Sequence, residues 1–209
     1  MDIQFLHKLG LVVSNIRNLL LDRGYDVTEL NSVVSSDTLE TAGLLYQRSK
    51  TLDCSLAEAA RFQVKKLATQ QRARIWLLDR NYDVSKLKER MTSTDQIKSI
   101  YDAIASDPDT VHIVVTPTKC SPQAKKELPV NAEIFIFDEL LIDLPRHVQV
   151  SRHSQVTEQD LQRYLGKSFQ KGDLPLLPTS DPMARWYAWP KGSIIFIDNP
   201  VMPKFRIVS

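Results

Sequence analysis

Three short apolar runs constrain what the middle of this chain can become: Arg74-Ile75-Trp76-Leu77-Leu78, Val111-His112-Ile113-Val114-Val115 and Ala132-Glu133-Ile134-Phe135-Ile136-Phe137. Each has strand length, and the second is rich in the β-branched residues that suit a pleated surface. Helix signals separate them. Ser93-Thr94-Asp95-Gln96 forms a capping box, and Ile97, Ile100, Tyr101 and Ile104 follow as a helical stripe. Ser121-Pro122 places a cap and a first-turn proline ahead of a helix running to about Leu128. Strand, helix, strand, helix, strand predicts parallel pairing through right-handed crossovers.

Helices precede this region. Leu6, Leu9, Val13, Ile16 and Leu20 recur at steps of three and four, so a helix is expected from about Ile3 to Arg23. Gly24 can take the left-handed conformation that ends it. The stripe covers barely two heptads, which fits the buried face of a bundle better than a free coiled coil. Ser36 or Asp37 can cap a second helix through about Ser49, and Leu56-Ala57-Glu58-Ala59-Ala60 favours helix again. After the third strand a short helical signal runs from Asp138 to Ile142, and Pro145 closes it. The domain boundary is placed near Leu144. A small α+β module is expected beyond it: a strand at His147 to Ser151, a helix from Thr157 to Leu165, and a loop carrying Leu174-Pro175-Leu176-Leu177-Pro178. A helical turn capped by Asp181 with Pro182 at its first position follows, then strands at Ser193 to Ile197 and Lys204 to Val208. There are no internal repeats.

Composition excludes several classes. The net charge of +2 on 209 residues lacks the basic excess usual for nucleic-acid-binding domains, so any DNA contact should be local and weak. Cys54 and Cys120 fit neither a zinc spacing nor a disulfide framework and point to a reducing compartment. His7, His112, His147 and His153 show no metal-ligand spacing, so no metal and no cofactor is expected. Asp2, His7 and Lys8 interrupt any signal-peptide core, and no apolar run approaches the ~20 residues that span a bilayer. A soluble intracellular protein with no membrane partner is expected.

The run Ser180-Asp181-Pro182-Met183-Ala184-Arg185-Trp186-Tyr187, with Lys191-Gly192 behind it and Leu174-Pro175 ahead, resembles the assembly domain of the fifth shared subunit of eukaryotic nuclear RNA polymerases. The archaeal counterpart of that subunit has the assembly domain alone. Asp22 to Thr28, Ile97-Lys98, Ile113-Val114-Val115, Ser121 to Lys125, Phe137 to Ile142 and Pro145-Arg146-His147-Val148 fall in the family's order, so nearly the whole chain is covered. The resemblance implies an α/β N-terminal jaw domain, helices plus a mostly parallel sheet, over residues 1–144. A small α+β C-terminal assembly domain would follow over 145–209. It also implies a strand near Phe62 to Leu67, packing of the assembly domain against the largest polymerase subunit, and a jaw that approaches downstream duplex DNA. Three departures stand out. Asp198-Asn199-Pro200-Val201-Met202-Pro203 replaces a longer Ser/Thr/Gly-containing loop; Ala188 stands where the family tends to have glycine; and Ser36 to Thr69 matches poorly. A cellular copy would work in the nucleus. The divergence fits a copy encoded by a large DNA virus with its own polymerase, working in host cytoplasm and carried in the virion.

Several residues carry a functional reading beside a plainer one. Asp181-Pro182 is first a helix start. The turn also presents Arg185, Trp186 and Tyr187, and aromatics and arginine anchor interfaces, although in so small a module some must be core. With Lys191 and Gly192 these are the candidate partner interface. Lys119, Lys125 and Lys126 surround the Ser121-Pro122 helix start, where free amides and positive charge could meet a phosphate; a solvated lysine face is the favoured, plainer explanation. Lys65, Lys66, Arg72 and Arg74 invite the same question.

An enzyme is the alternative. Ligands of parallel sheets bind beyond the strand carboxyl ends, where Asp79, Thr116 and Asp138-Glu139 fall, and such acids could hold Mg²⁺ for phosphoryl-transfer or nuclease chemistry. Against it, Gln63-Val64-Lys65 offers glutamine where a metal ligand should be charged, and Asp138-Glu139 also reads as a helix cap. A free-standing interaction module is a third reading.

Overall fold

The computed structural model describes residues 3–78, 102–117, 119, 129–166, 170–199 and 201–209. They form two compact units, Met1–Ile142 and Asp143–Ser209. The expected capping box at Ser93, the stripe residues Ile97, Ile100 and Tyr101, and the helix opening at Ser121 lie outside the described residues.

The first unit begins with α1 (Ile3–Asp22), whose Leu9, Val13, Ile16 and Leu20 are buried as the spacing required, joined by Val12 and Leu19. Leu6, at the fringe, is half-buried. The helix ends in a Schellman motif: the Tyr25 N–H donates to the Leu20 carbonyl and the Gly24 N–H to Leu21, both at 2.9 Å, with Gly24 at φ 80°. A four-residue helix, α2 (Thr28–Asn31), was not anticipated; Asp26 starts it by accepting from the Thr28 amide and hydroxyl. Asp37, one of the two expected caps, opens α3 (Thr38–Thr51) by accepting from the Leu39 and Glu40 amides. Ser55 and Glu58 form a capping box on α4 (Leu56–Ala59).

Four strands make the first sheet, in the order β1 (Phe62–Lys65), β2 (Arg72–Leu77), β3 (Thr110–Thr116), β4 (Ala132–Ile136). β2, β3 and β4 are parallel, as the alternation implied, and β1 is antiparallel to β2. On one face Trp76, Val114 and Ile134 pack with Ile104 from the helical residues 102–105. Ile75, Leu77, Ile113, Val115 and Phe135 point the other way and are also buried, which is why these strands read as continuous apolar runs. Arg23, at the end of α1, reaches this second face: it grips Glu133 through two hydrogen bonds of 3.1 and 2.8 Å and lies 6.0 Å from the Phe135 ring centre. The helical signal after β4 is a 3-10 turn, Phe137–Leu140.

The second unit is a four-stranded sheet in the order β5 (Arg152–Val156), β7 (Ile194–Asp198), β8 (Lys204–Val208), β6 (Leu176–Leu177). β5 and β8 flank β7 antiparallel to it, and β6 runs parallel to β8. The strand expected at His147 to Ser151 is corrected: those residues form a turn, with the Val150 N–H donating to the His147 carbonyl at 2.9 Å, and Val148 is 97% exposed. β5 begins only at Arg152. It is an edge strand with no fully buried side chain, so it offers no apolar alternation to read. Leu176–Leu177, read as loop, adds β6.

Both faces of this sheet are covered. Ile194, Phe205 and half-buried Phe196 and Ile207 pack on one side with Leu161 of α5 (Glu158–Leu165), the expected helix, capped by Thr157 and Asp160. Ile195 and Val208 face the other way and pack with Leu177, Met183, Ala184 and Trp189 around α6 (Pro182–Tyr187). The alternation along β7 and β8 therefore separates two small cores.

Candidate partner interface

Asp181 sets the geometry of this site. Its carboxylate accepts from the Met183 amide at 2.8 Å and the Ala184 amide at 3.4 Å, satisfying donors that would otherwise be orphaned at the start of α6. Pro182 occupies the first helical position, where a missing N–H costs nothing. After one and a half turns the helix stops at Ala188, which adopts the left-handed conformation at φ 52°, ψ 43°. The Trp189 N–H donates to Ala184 at 3.1 Å and the Ala188 N–H to Arg185 at 3.2 Å. This is the Schellman pattern again, and the accompanying apolar contact is present, because Ala184 and Trp189 share one core cluster. Ala188 stands where the resemblance leads to glycine, and the backbone conformation supplies the reason glycine suits that position.

The side chains divide clearly. Trp186 is 1% exposed, so its ring is buried instead of offering a contact. Tyr187 is half-buried and stacks on Trp189 with ring centres 4.7 Å apart and planes 12° from parallel. His153 of β5 also stacks on Trp189, at 6.4 Å. Arg185 is half-buried, and Lys191 and Pro182 are exposed. Gly192, at φ 85°, donates its N–H to the Val208 carbonyl at 2.8 Å and ties the β7 approach to the end of β8. The Asp181, Arg185, Tyr187 and Lys191 positions thus sit on one short segment braced by buried Trp186. Trp189 and His153 were missed by the sequence reading. The signal for Trp189 was its position next to the left-handed residue, where an apolar contact is customary.

Of the phosphate-facing candidates, Lys119 is exposed. Ser121, Pro122, Lys125 and Lys126 lie outside the described residues. Lys65 and Arg72 are exposed partners across β1 and β2. Arg72 reaches Asp107 at 3.5 Å, Arg74 donates to Gln63 at 3.1 Å, and Lys66 lies 5.4 Å from the Tyr25 ring centre.

Of the residues proposed for Mg²⁺ chemistry, Thr116, Asp138 and Glu139 are described. Thr116 is buried. Glu139 accepts from the Ile136 amide at 3.0 Å, the capping role read from sequence. Asp79 lies outside the described residues. Among the described residues no three of His, Cys, Asp and Glu are placed to hold a metal ion together.

No family model matches the chain. Two curated relatives are subunits of eukaryotic DNA-directed RNA polymerases. One is the "DNA-directed RNA polymerases I, II, and III subunit rpabc1" of Dictyostelium discoideum, 30% identical over 125 residues, which are 54% of this chain and 62% of that protein. The other is the "DNA-directed RNA polymerase V subunit 5A" of Arabidopsis thaliana, 23% identical over 202 residues, 92% of this chain and 82% of that protein. These homologues are the fifth shared subunit of eukaryotic RNA polymerases, the family the sequence resembles. The match spans under two thirds of the first relative's length. Neither relative supports the enzyme alternative.

Proposed function

We propose that this chain is a non-catalytic structural subunit of a multisubunit DNA-directed RNA polymerase. Residues 145–209 serve as the assembly domain and dock on the largest subunit, with Asp181, Pro182, Arg185, Tyr187, Lys191 and Gly192 at the contact and Trp186 as its internal brace. Residues 1–144 form the jaw beside downstream duplex DNA, which they meet weakly and without sequence preference through Lys119, Ser121, Pro122, Lys125 and Lys126. A cellular gene places the protein in the nucleus; a viral gene places it in host cytoplasm and in the virion.

The observation that carries the reading is the likeness over 92% of the chain to a polymerase subunit. The capped, Trp-braced turn supports the choice of docking segment, since a rigid presentation lowers the entropy lost on binding. The test is co-purification of tagged full-length protein carrying Arg185→Glu or Lys191→Glu. Recovery of the largest subunit should fall about tenfold or more for at least one variant with the circular dichroism spectrum unchanged. Undiminished recovery with both variants would remove this segment from the interface.

A further inference from the structure

A groove of about 570 Å³ opens in the first unit between the middle of α1 and the loop leading into α3. At one end the helices touch: a Cβ on Gly10 would fall 1.9 Å from the Thr38 carbonyl oxygen. Among the residues that line it, Arg17 is the one cation, and it is fixed from two sides. Its Nε donates to the Asn31 Oδ1 at 2.6 Å and its Nη1 to the Asn18 Oδ1 at 3.2 Å. Two consequences follow. The guanidinium is held in place, and both amide oxygens that line the groove already accept from it.

Among the described residues no carboxylate pairs with Arg17. The nearby acids are engaged elsewhere: Asp37 caps α3, Glu40 accepts from the Ser35 hydroxyl, and Glu29 pairs with Arg48 at 2.9 Å. None of the three lines the groove. Ser14, on the α1 wall, has a buried Oγ without a hydrogen-bond partner among the described residues. The lining thus combines an uncompensated positive charge and a hydroxyl donor with Leu11 and Val34 as apolar walls.

We propose that this groove binds a short peptide segment of another protein through one Asp or Glu side chain, whose carboxylate meets the edge of Arg17 left open by Asn18 and Asn31. A planar guanidinium matches a carboxylate edge to edge. Nucleic acid calls for several cations along a path, and the groove has one. Its volume far exceeds a carboxylate, leaving room for apolar neighbours against Leu11 and Val34. The site is independent of the docking segment in the second unit.

Titration of isotope-labelled full-length protein by nuclear magnetic resonance tests this. The probes are N-acetyl-Leu-Glu-Leu-amide, its Gln counterpart and inorganic phosphate. The Glu peptide should give saturable shifts at Ser14, the Arg17 side chain, Ser36 and Thr38. The Gln peptide should bind about tenfold more weakly or worse. Arg17→Gln should cost a similar factor. Ser36→Asp, at an exposed rim position that leaves Arg17 and its partners in place, should also weaken the Glu peptide. Equal binding of the Glu and Gln peptides, or indifference to both variants, would overturn the site. Tighter binding of phosphate than of the Glu peptide would overturn the choice of ligand.

Discussion

Replacing Ala188 with glycine should stabilise the protein. The residue lies in the left-handed region at φ 52°, ψ 43°, where an L-side chain costs about 1–2 kcal/mol through the clash of Cβ with the following carbonyl. Glycine removes that cost but adds about 0.4–1 kcal/mol of unfolded-state entropy. The lost methyl is exposed, so little burial is sacrificed. The net gain is about 0.5–1 kcal/mol, a rise of about 1–4 °C in Tm for a chain of this size. The end of α1 supplies the reciprocal experiment. Gly24 holds the same place in the same motif at φ 80°, and a Cβ there would meet nothing within 4 Å. Gly24→Ala should therefore cost about 0.5–1 kcal/mol, the backbone strain being offset in part by the unfolded-state entropy it removes. Urea unfolding, followed by tryptophan fluorescence, measures both as shifts in midpoint at constant slope. A lower midpoint for Ala188→Gly, or no cost for Gly24→Ala, would refute the attribution to backbone conformation.

Other outcomes are expected from the same structure. Glu133→Gln should destabilise by about 1–3 kcal/mol in urea unfolding, because it removes the carboxylate charge facing the Arg23 guanidinium, which is 2% exposed; the 32% exposure of Glu133 keeps the figure below that of a fully buried pair. Leu20→Ala, at a site with 0% exposure, should cost about 2–5 kcal/mol by the same assay. His112 should stay neutral to a lower pH than an ordinary imidazole. Its Nδ1 accepts from Trp76 Nε1 at 3.0 Å, and burial holds its pKa below the ordinary imidazole value, opposed by the contact with the Asp107 carbonyl. The unfolded chain then takes up the proton first. The stability this group contributes is full above pH ~6.5 and is lost as the pH falls through the lower folded value. A titration of the His112 ring by nuclear magnetic resonance checks this: an ordinary midpoint would abolish the effect, and a raised one would reverse its sign.

Much of the fold could be read where one physical signal dominated. The three-and-four stripe of α1 was legible because one face is buried from Leu9 to Leu20. β3 was legible because burial on both faces leaves a β-branched run with little polar interruption. Asp181-Pro182 announced its helix because capping chemistry is local. Other elements gave no such signal. β5 has only exposed and half-buried residues, so Val148 and Val150 just upstream carried a false alternation. β6 is two residues long and exists through its pairing with β8, a partner distant in sequence. α2 is one turn, set by a single aspartate. In the candidate interface, residue type alone left Trp186 divided between core and contact. Its burial is set by tertiary packing, which no local pattern encodes.

The central claim, that this chain is a fixed part of an RNA polymerase, is most directly tested by native mass spectrometry of the particle purified through a tag on the full-length protein. The account predicts one copy of this chain in a complex with the much larger polymerase subunits. Recovery of the chain solely as a free monomer, under conditions where that polymerase stays intact, would contradict it.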